Sequence, residues 1–468
     1  MHLPWKVVTV MTLRAIVYFL SLSLLCASAK AEDRPDCSLP SQRLNATHAI
    51  LEVDKVWAGT RVDFTGTATG NDNGDGNYLV GYYDQDRWLT IAKVNAFSHE
   101  IRRTRLQSRF AGWDSHNSVA LATDRNGMIH VAANMHANKL NYFRLDSNNL
   151  GIEATSIPGA ESDLVTYPQF LRTADDNLLF INRNGRSGDG SWTIRQWNGS
   201  SWTLLNEMSF IGGHGFGTKV SGYPSRFYVA RDGFIHLAIV WRLTPDASTN
   251  VAISYAKTRD FRQWFDSRNQ PLQLPLSPDN SDLVLRTGPN QGLLNNAVVS
   301  IDPNSRPIIT FTRYDAQGHN TVELMKNTGG KWQNIKIAVA DGHFAVEGTG
   351  SLPRTVALSE VNFAQPDAPS LYYHFPDAAG KTELLDSSTL LPRCVDRRPK
   401  PDFGRFADRA LPTMRPQIRS LGKDATLVWA AQPANNDRQP ACTPEAPRAC
   451  NPPPSTLKLV IDNPDKAP

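Results

Sequence analysis

Gly112-Trp113-Asp114-Ser115-His116-Asn117-Ser118-Val119-Ala120-Leu121-Ala122-Thr123-Asp124-Arg125-Asn126-Gly127-Met128-Ile129-His130-Val131-Ala132-Ala133-Asn134-Met135-His136 decides the fold class of this chain. An apolar run, a turn of Asp, Arg, Asn and Gly, and a second apolar run make the pattern of two short antiparallel strands joined tightly. Three histidines fall within it. His116 precedes the first strand and His136 follows the return strand, so a turn at Arg125-Asn126 predicts that both lie on one sheet and reach one end of the hairpin. His130 alternates with Ile129 and Val131, which assigns it to packing, and His236 repeats that pattern.

The same theme recurs along the chain. It returns at Gln169 to Ile181, at Phe227 to Ile239 and at Ala297 to Phe311, with a weaker copy at Gln417 to Trp429. Second hairpins follow, as where Trp192 to Trp197 turns at Asn198-Gly199 into Ser201 to Leu205, and where Thr321 to Lys326 turns at Thr328-Gly329-Gly330 into Trp332 to Ile337. Two hairpins per repeat predict four-stranded units stacked radially. The expected fold is therefore all-β: a β-propeller of six or seven blades, each of four antiparallel strands, with a β-sandwich or parallel β-helix as the competing architectures.

Composition agrees. The chain carries 31 Gly, 31 Pro and 11 Trp against 20% charged residues, the profile of many turns and few long charged helices. Its net charge of +4 is spread along the sequence rather than gathered into a basic face, which argues against a nucleic-acid partner. Met1 to Ala31 reads as a secretory signal, with Lys6 and Arg14 before and within a short apolar stretch and Ala29-Lys30-Ala31 as the cleavage site. The apolar stretch is shorter than the roughly 20 residues of a spanning helix, so no membrane association is expected after cleavage. The domain plan is thus a signal at 1–31 and one propeller at 32–468, secreted or periplasmic and monomeric, with a Pro-rich, Cys-containing loop at 433–454.

Cleavage removes Cys26 and leaves Cys37, Cys394, Cys442 and Cys450 in an oxidising compartment. Of the three possible connectivities, Cys442 with Cys450 closes the short Pro-rich loop, and Cys37 with Cys394 ties the mature N-terminus to the last part of the fold.

Trp113-Asp114-Ser115-His116-Asn117, Gly127-Met128-Ile129-His130-Val131, Met135-His136, Gly222-Tyr223-Pro224-Ser225, Asp232-Gly233-Phe234-Ile235-His236-Leu237 and Trp241-Arg242 resemble the BNR-repeat-containing propeller family that includes secreted ulvan lyases. The likeness runs from about Asp114 to about Pro307. The resemblance implies a seven-bladed propeller that binds an acidic, uronate-containing polysaccharide and cleaves it by β-elimination, with histidine and tyrosine as acid and base. It places His116 and His136 at positions similar to the family's active-site histidines, and Tyr223 and Arg242 in stretches similar to its substrate-binding strands. The Asp-box sequence Ser-x-Asp-x-Gly-x-Thr-Trp is absent, and Ser187-Gly188-Asp189-Gly190-Ser191-Trp192 is a contracted echo of it, which counts against a sialidase.

β-Elimination at a uronate needs its carboxylate neutralised, a base for the C5 proton and an acid for the leaving oxygen. Arg242 suits the first task because a guanidinium stays charged and grips a carboxylate with two parallel hydrogen bonds. His116 suits either proton transfer, and Tyr223 the complementary one. Asn117, Trp113, Tyr167, Arg183 and Arg186 are candidate sugar contacts, Trp113 by stacking. The sequence requires no cofactor and leaves metal content open. A glycoside hydrolase would instead need two carboxylates about 5 to 10 Å apart across a cleft, for which Asp114, Asp189 and Glu347 are the candidates. A non-catalytic glycan-binding propeller is the third alternative.

Overall fold

A computed structural model describes residues 34–37, 48–60, 76–398, 402–421 and 425–462. The expected signal at 1–31 lies outside them. Apart from two short 3₁₀ turns, Ala247–Thr249 and Phe403–Phe406, every described element is a strand.

Each copy of the recurring theme forms an antiparallel pair. Val119–Thr123 joins Ile129–Ala133, Leu164–Arg172 joins Leu178–Arg186, Tyr228–Val229 joins Ile235–Arg242, Val298–Ile301 joins Pro307–Tyr314, and Arg415–Leu421 joins Ala425–Ala431. The turn residues explain why. Asp124 Oδ1 accepts the backbone N–H groups of Asn126 at 2.8 Å and Met128 at 2.9 Å, and Asp302 Oδ1 accepts those of Asn304 and Arg306, both at 2.9 Å. An aspartate that holds its own turn in this way sets the hairpin locally.

The strands assemble in chain order. A three-stranded sheet, Asn77–Tyr83, Trp88–Asn95 and Ile101–Arg109, precedes a four-stranded one built on Val119–Thr123. A twelve-stranded sheet follows, joined at its middle by a single parallel pair, Gly190 with Ser221. Two four-stranded sheets come next, starting at Val298–Ile301 and Ala357–Asn362. In the last sheet His48–Val56 pairs with Ser455–Asp462, so the first and last strands share one sheet, while Asp36 bridges to Val395 of the sheet before it. The core lies between sheets: Val53, Leu427 and Leu459 of the closing sheet belong to one apolar cluster with Tyr82, Ile91, Val119 and Val131. Both expected disulfides are present, Cys37–Cys394 and Cys442–Cys450.

One expectation is corrected. His116 and His136 do not belong to one sheet, because His136 opens a separate strand, His136–Lys139, that pairs with Leu164–Thr166 of the neighbouring sheet. Asn134 and Ala137 take left-handed backbone conformations, φ 63° and 55°, that turn the chain out of its hairpin.

His130 and His236 are packed as expected. Each is buried with Nδ1 2.6 Å from a tyrosine hydroxyl, of Tyr142 and Tyr255 respectively. Burial lowers both imidazoles to about 4, against an ordinary value of about 6.5. The unfolded chain therefore takes up two protons between those values that the folded chain refuses. The contribution of these two histidines to stability is full above pH of about 6.5 and falls as the pH drops toward 4, by roughly 1.4 kcal/mol per unit per histidine. Denaturant midpoints measured across that window are expected to show the slope, and His130→Gln with His236→Gln to flatten it.

Candidate active site

The first site residues come from a turn that its own side chains tie. Asp114 Oδ1 accepts the His116 backbone N–H at 2.9 Å, Asn117 Nδ2 donates to the Asp114 carbonyl at 2.9 Å, and the Tyr83 hydroxyl donates to the Asn117 carbonyl at 2.8 Å. The backbone is thus held from both sides before any ligand arrives. His136 enters from the adjoining sheet, and its ring stacks on His116 with centroids 4.1 Å apart and planes 24° from parallel.

One carboxylate serves both rings. Asp114 Oδ1 lies 2.7 Å from His116 Nδ1, and Oδ2 lies 2.5 Å from His136 Nδ1. Two other parts of the chain also reach His116 Nδ1: Ser351 Oγ at 3.2 Å and Asp437 Oδ2 at 3.4 Å. Burial alone would strip the His116 proton, but the Tyr167 oxygen and the Asp114 and Asp437 carboxylates outweigh it and hold the imidazole well above its usual range. Burial likewise opposes the Asp114 charge, yet hydrogen bonds from His116 and His136 hold that carboxyl well below the usual carboxylate range.

Tyr167 continues the site. Its ring stands edge-on to His116 at 5.7 Å, under the Arg183 guanidinium at 5.0 Å, and 6.4 Å from the Tyr223 ring. The residue sits at an irregularity between Thr166 and Gln169, with φ 54°, a conformation that a bulky side chain adopts only when its surroundings hold it there. Arg242 covers the Tyr223 ring at 4.3 Å and is fixed by Asn250 at 2.7 Å and Asn295 at 2.9 Å. The Tyr223 hydroxyl is 2.6 Å from Ser187 Oγ and accepts from Arg242 Nη1 at 3.3 Å. Arg183 donates to Thr166 Oγ1 at 3.1 Å. Among the described residues neither guanidinium has a carboxylate at ion-pair distance, although both are buried. Burying a cation without a counter-ion is costly, so this pair favours an anion brought from outside.

His116 and Tyr167 line a cavity of about 410 Å³ together with Arg226 and Arg419. A crevice of about 1370 Å³ shares Pro224, Ser225 and Arg226 with it.

Asp114, His116, His136 and Asp437 offer four donor atoms within 4.8 Å of one another, a set that suits a divalent ion by residue type. The ring geometry does not fit one ion held by both histidines. An ion lies in the plane of each imidazole that binds it, and rings stacked 4.1 Å apart at 24° have planes that meet only far beyond bonding distance. The Nδ1 to oxygen separation of 2.7 Å at His116 is a hydrogen-bond length, and that of 2.5 Å at His136 is shorter than one.

Of the residues singled out in the sequence, the fold gathers His116, His136, Tyr167, Arg183, Tyr223 and Arg242 into one continuous cluster. It sets the other three apart. Asn117 is buried and ties the turn, Trp113 packs edge-on to Trp57 at 5.3 Å, and Arg186 is exposed at a hairpin tip. Asp437 and Ser351 carried no signal in the sequence, since each lies in a loop more than two hundred residues from His116. Asp114 had one: an acid two residues before a histidine, within a turn.

Residues 77–340, more than half of the chain, match the family model described as BNR repeat-containing family member. No curated protein matches the chain by sequence. Among solved structures, the polysaccharide lyase Uly1 is 14% identical over 86% of this chain and 90% of its own, with a TM-score of 0.55. An ulvan lyase of polysaccharide lyase family PL25, bound to -[GlcA(1-4)Rha3S]-, is 11% identical over 88% of this chain and 95% of its own, with a TM-score of 0.57. At these identities the likeness is one of fold. By its match over residues 77–340, the chain belongs to the BNR repeat-containing family.

Proposed function

We propose that this protein is a secreted polysaccharide lyase that cleaves a uronate-containing polysaccharide by β-elimination on a single seven-bladed propeller. Dividing the twelve-stranded sheet at its lone parallel pair gives two units, which with the five other sheets of three or four strands make seven. Export is supported by two disulfides, which persist in oxidising compartments. No helix among the described residues is long and apolar enough to cross a membrane.

The observation that carries the reading is a pair of buried guanidiniums without carboxylate partners among the described residues, set beside a tyrosine and a histidine pair. In the reaction Arg242, at 8% exposure, takes the uronate carboxylate and stabilises the charge that spreads onto it. Arg183, at 1%, acts behind the Tyr167 ring. Tyr167, acting as its phenolate, removes the C5 proton and becomes the neutral phenol. The electrons form the C4–C5 double bond, the C4–O4 bond breaks, and the departing oxygen takes the Nε2 proton of the His116 imidazolium, whose charge Asp114 and Asp437 stabilise from the Nδ1 side. Tyr223 positions Arg242 through its ring and hydroxyl.

Incubation with ulvan and related uronate polymers, followed by ultraviolet absorbance and mass analysis, tests this directly. Unsaturated products are expected from the wild type, and Tyr167→Phe is expected to lower their formation by about 10²-fold or more. Saturated products would assign a hydrolase, and saturable binding without products a glycan-binding propeller. Of the hydrolase candidates, Asp189 lies exposed and paired with Lys219 at 2.8 Å.

A further inference from the structure

We infer that the disulfide-closed C-terminal loop belongs to the active site, with Asp437 as a positioning residue that fixes the His116 imidazole. Only the consequence for catalysis rests on the lyase reading; the contact stands without it.

Three observations carry the inference. First, Asp437 reaches His116 from the loop that holds Cys442–Cys450, with Oδ2 3.4 Å from Nδ1 and a side chain only 17% exposed. Second, that loop is seated rather than draped. The Ser351 N–H donates to Asp437 Oδ1 at 3.2 Å, the Asn436 N–H donates to the Ser351 carbonyl at 2.9 Å, and Asn436 Nδ2 donates to the Thr349 carbonyl at 3.2 Å. Ser351 Oγ in turn contacts Ser115 and His116. Third, the backbone is shaped for this contact. Asn436 and Asp437 are consecutive left-handed residues, φ 49° and 61°, and Gly350, φ 78°, lies so close that a Cβ there would stand 2.5 Å from Asp437 Oδ2.

The same strap extends to the other side of the site. The Gly348 N–H donates to Asp246 Oδ1 at 2.9 Å, and the Gly348 carbonyl accepts from the Ala247 N–H at 2.9 Å, just beyond the strand that ends at Arg242. Residues 348–351 and 436–437 therefore link the histidine pair to the segment that follows Arg242. Both segments lie outside the stretch that matches the family model.

Among the described residues, the charged and titratable groups facing His116 are Asp114 on its own turn, His136 and Tyr167 from the neighbouring sheet, and Asp437 from the C-terminal loop, and Arg226 and Arg419 line the same cavity. The test is an NMR titration of the His116 imidazole in the full chain, assigned with His116→Gln, for wild type, Asp437→Ala and Asp437→Asn. Both Asp437 variants are expected to lower the His116 pKa by about one unit, as loss of a nearby opposite charge does. In turnover, kcat is expected to fall about tenfold with KM within about twofold, and the limb of the pH profile that reports His116 to move with its titration. Gly350→Ala, which displaces the carboxylate without deleting it, is expected to shift the titration in the same direction and serves if Asp437→Ala misfolds. An unchanged His116 titration in a folded Asp437→Ala protein overturns the inference. Wild-type protein that forms no unsaturated product overturns the lyase reading instead, and leaves the titration result standing.

Discussion

His116→Ala is expected to lower turnover of a uronate polymer by about 10²- to 10⁴-fold, the range that a positioned proton-transfer group contributes. The size follows from what surrounds the ring. Asp114, Ser351 and Asp437 all approach Nδ1, which leaves Nε2 as the nitrogen for a substrate, and the Tyr167 ring stands edge-on to the imidazole with centroids 5.7 Å apart. His136 is held in the same way, with its own Nδ1 on the other Asp114 oxygen. The fold is expected to survive, since the turn is tied through the Asp114 and Asn117 backbone and side chains rather than through the imidazole. Product absorbance together with a thermal melt decides the matter. Unchanged turnover with an unchanged melt removes His116 from the chemistry.

The second large effect is on stability. Replacing Cys37 and Cys394 by serine is expected to cost roughly 3 to 5 kcal/mol, because the bond closes a loop of 357 residues and its loss frees the unfolded chain. More than a crosslink is at stake. The segment it holds carries Arg34, whose guanidinium lies 2.9 Å from Glu383, a carboxylate with no exposed surface that also accepts from the Tyr373 hydroxyl at 3.0 Å. Once the tether goes, Arg34 can leave and strand a buried charge, which is the expensive way to break an ion pair. Chemical denaturation of the double variant measures the loss. A midpoint equal to wild type would mean that the backbone bridge from Asp36 to Val395 holds the segment by itself.

Much of the fold was legible because it is locally encoded. Asp124 and Asp302 make their turns with their own side chains, and the runs on either side alternate with the period of a strand, so five hairpins could be placed without knowing what they pack against. His130 and His236 were legible as packing residues for the same reason. His136 was assigned to the wrong sheet because its path depends on left-handed turns at Asn134 and Ala137, and although asparagine favours that conformation, alanine does not announce it. Trp113 is ambiguous in sequence, since a tryptophan suited to a sugar is equally suited to Trp57.

By itself, then, the sequence determined the strand pairs, the all-β class and the candidate acids, bases and cations, because each depends on periodicity, turn chemistry or residue type; it offered four cysteines with three possible connectivities, and the fold chose between them. Tertiary structure alone decided which of those candidates meet. It stacked His136 on His116, brought Tyr167 and the two unpaired guanidiniums beside them, and carried Asp437 in from a loop 321 residues away. The physical reason is that an active site is assembled from loops of separate sheets, and the distances between those loops are set by inter-sheet packing, which leaves no periodic mark on the residues it brings together.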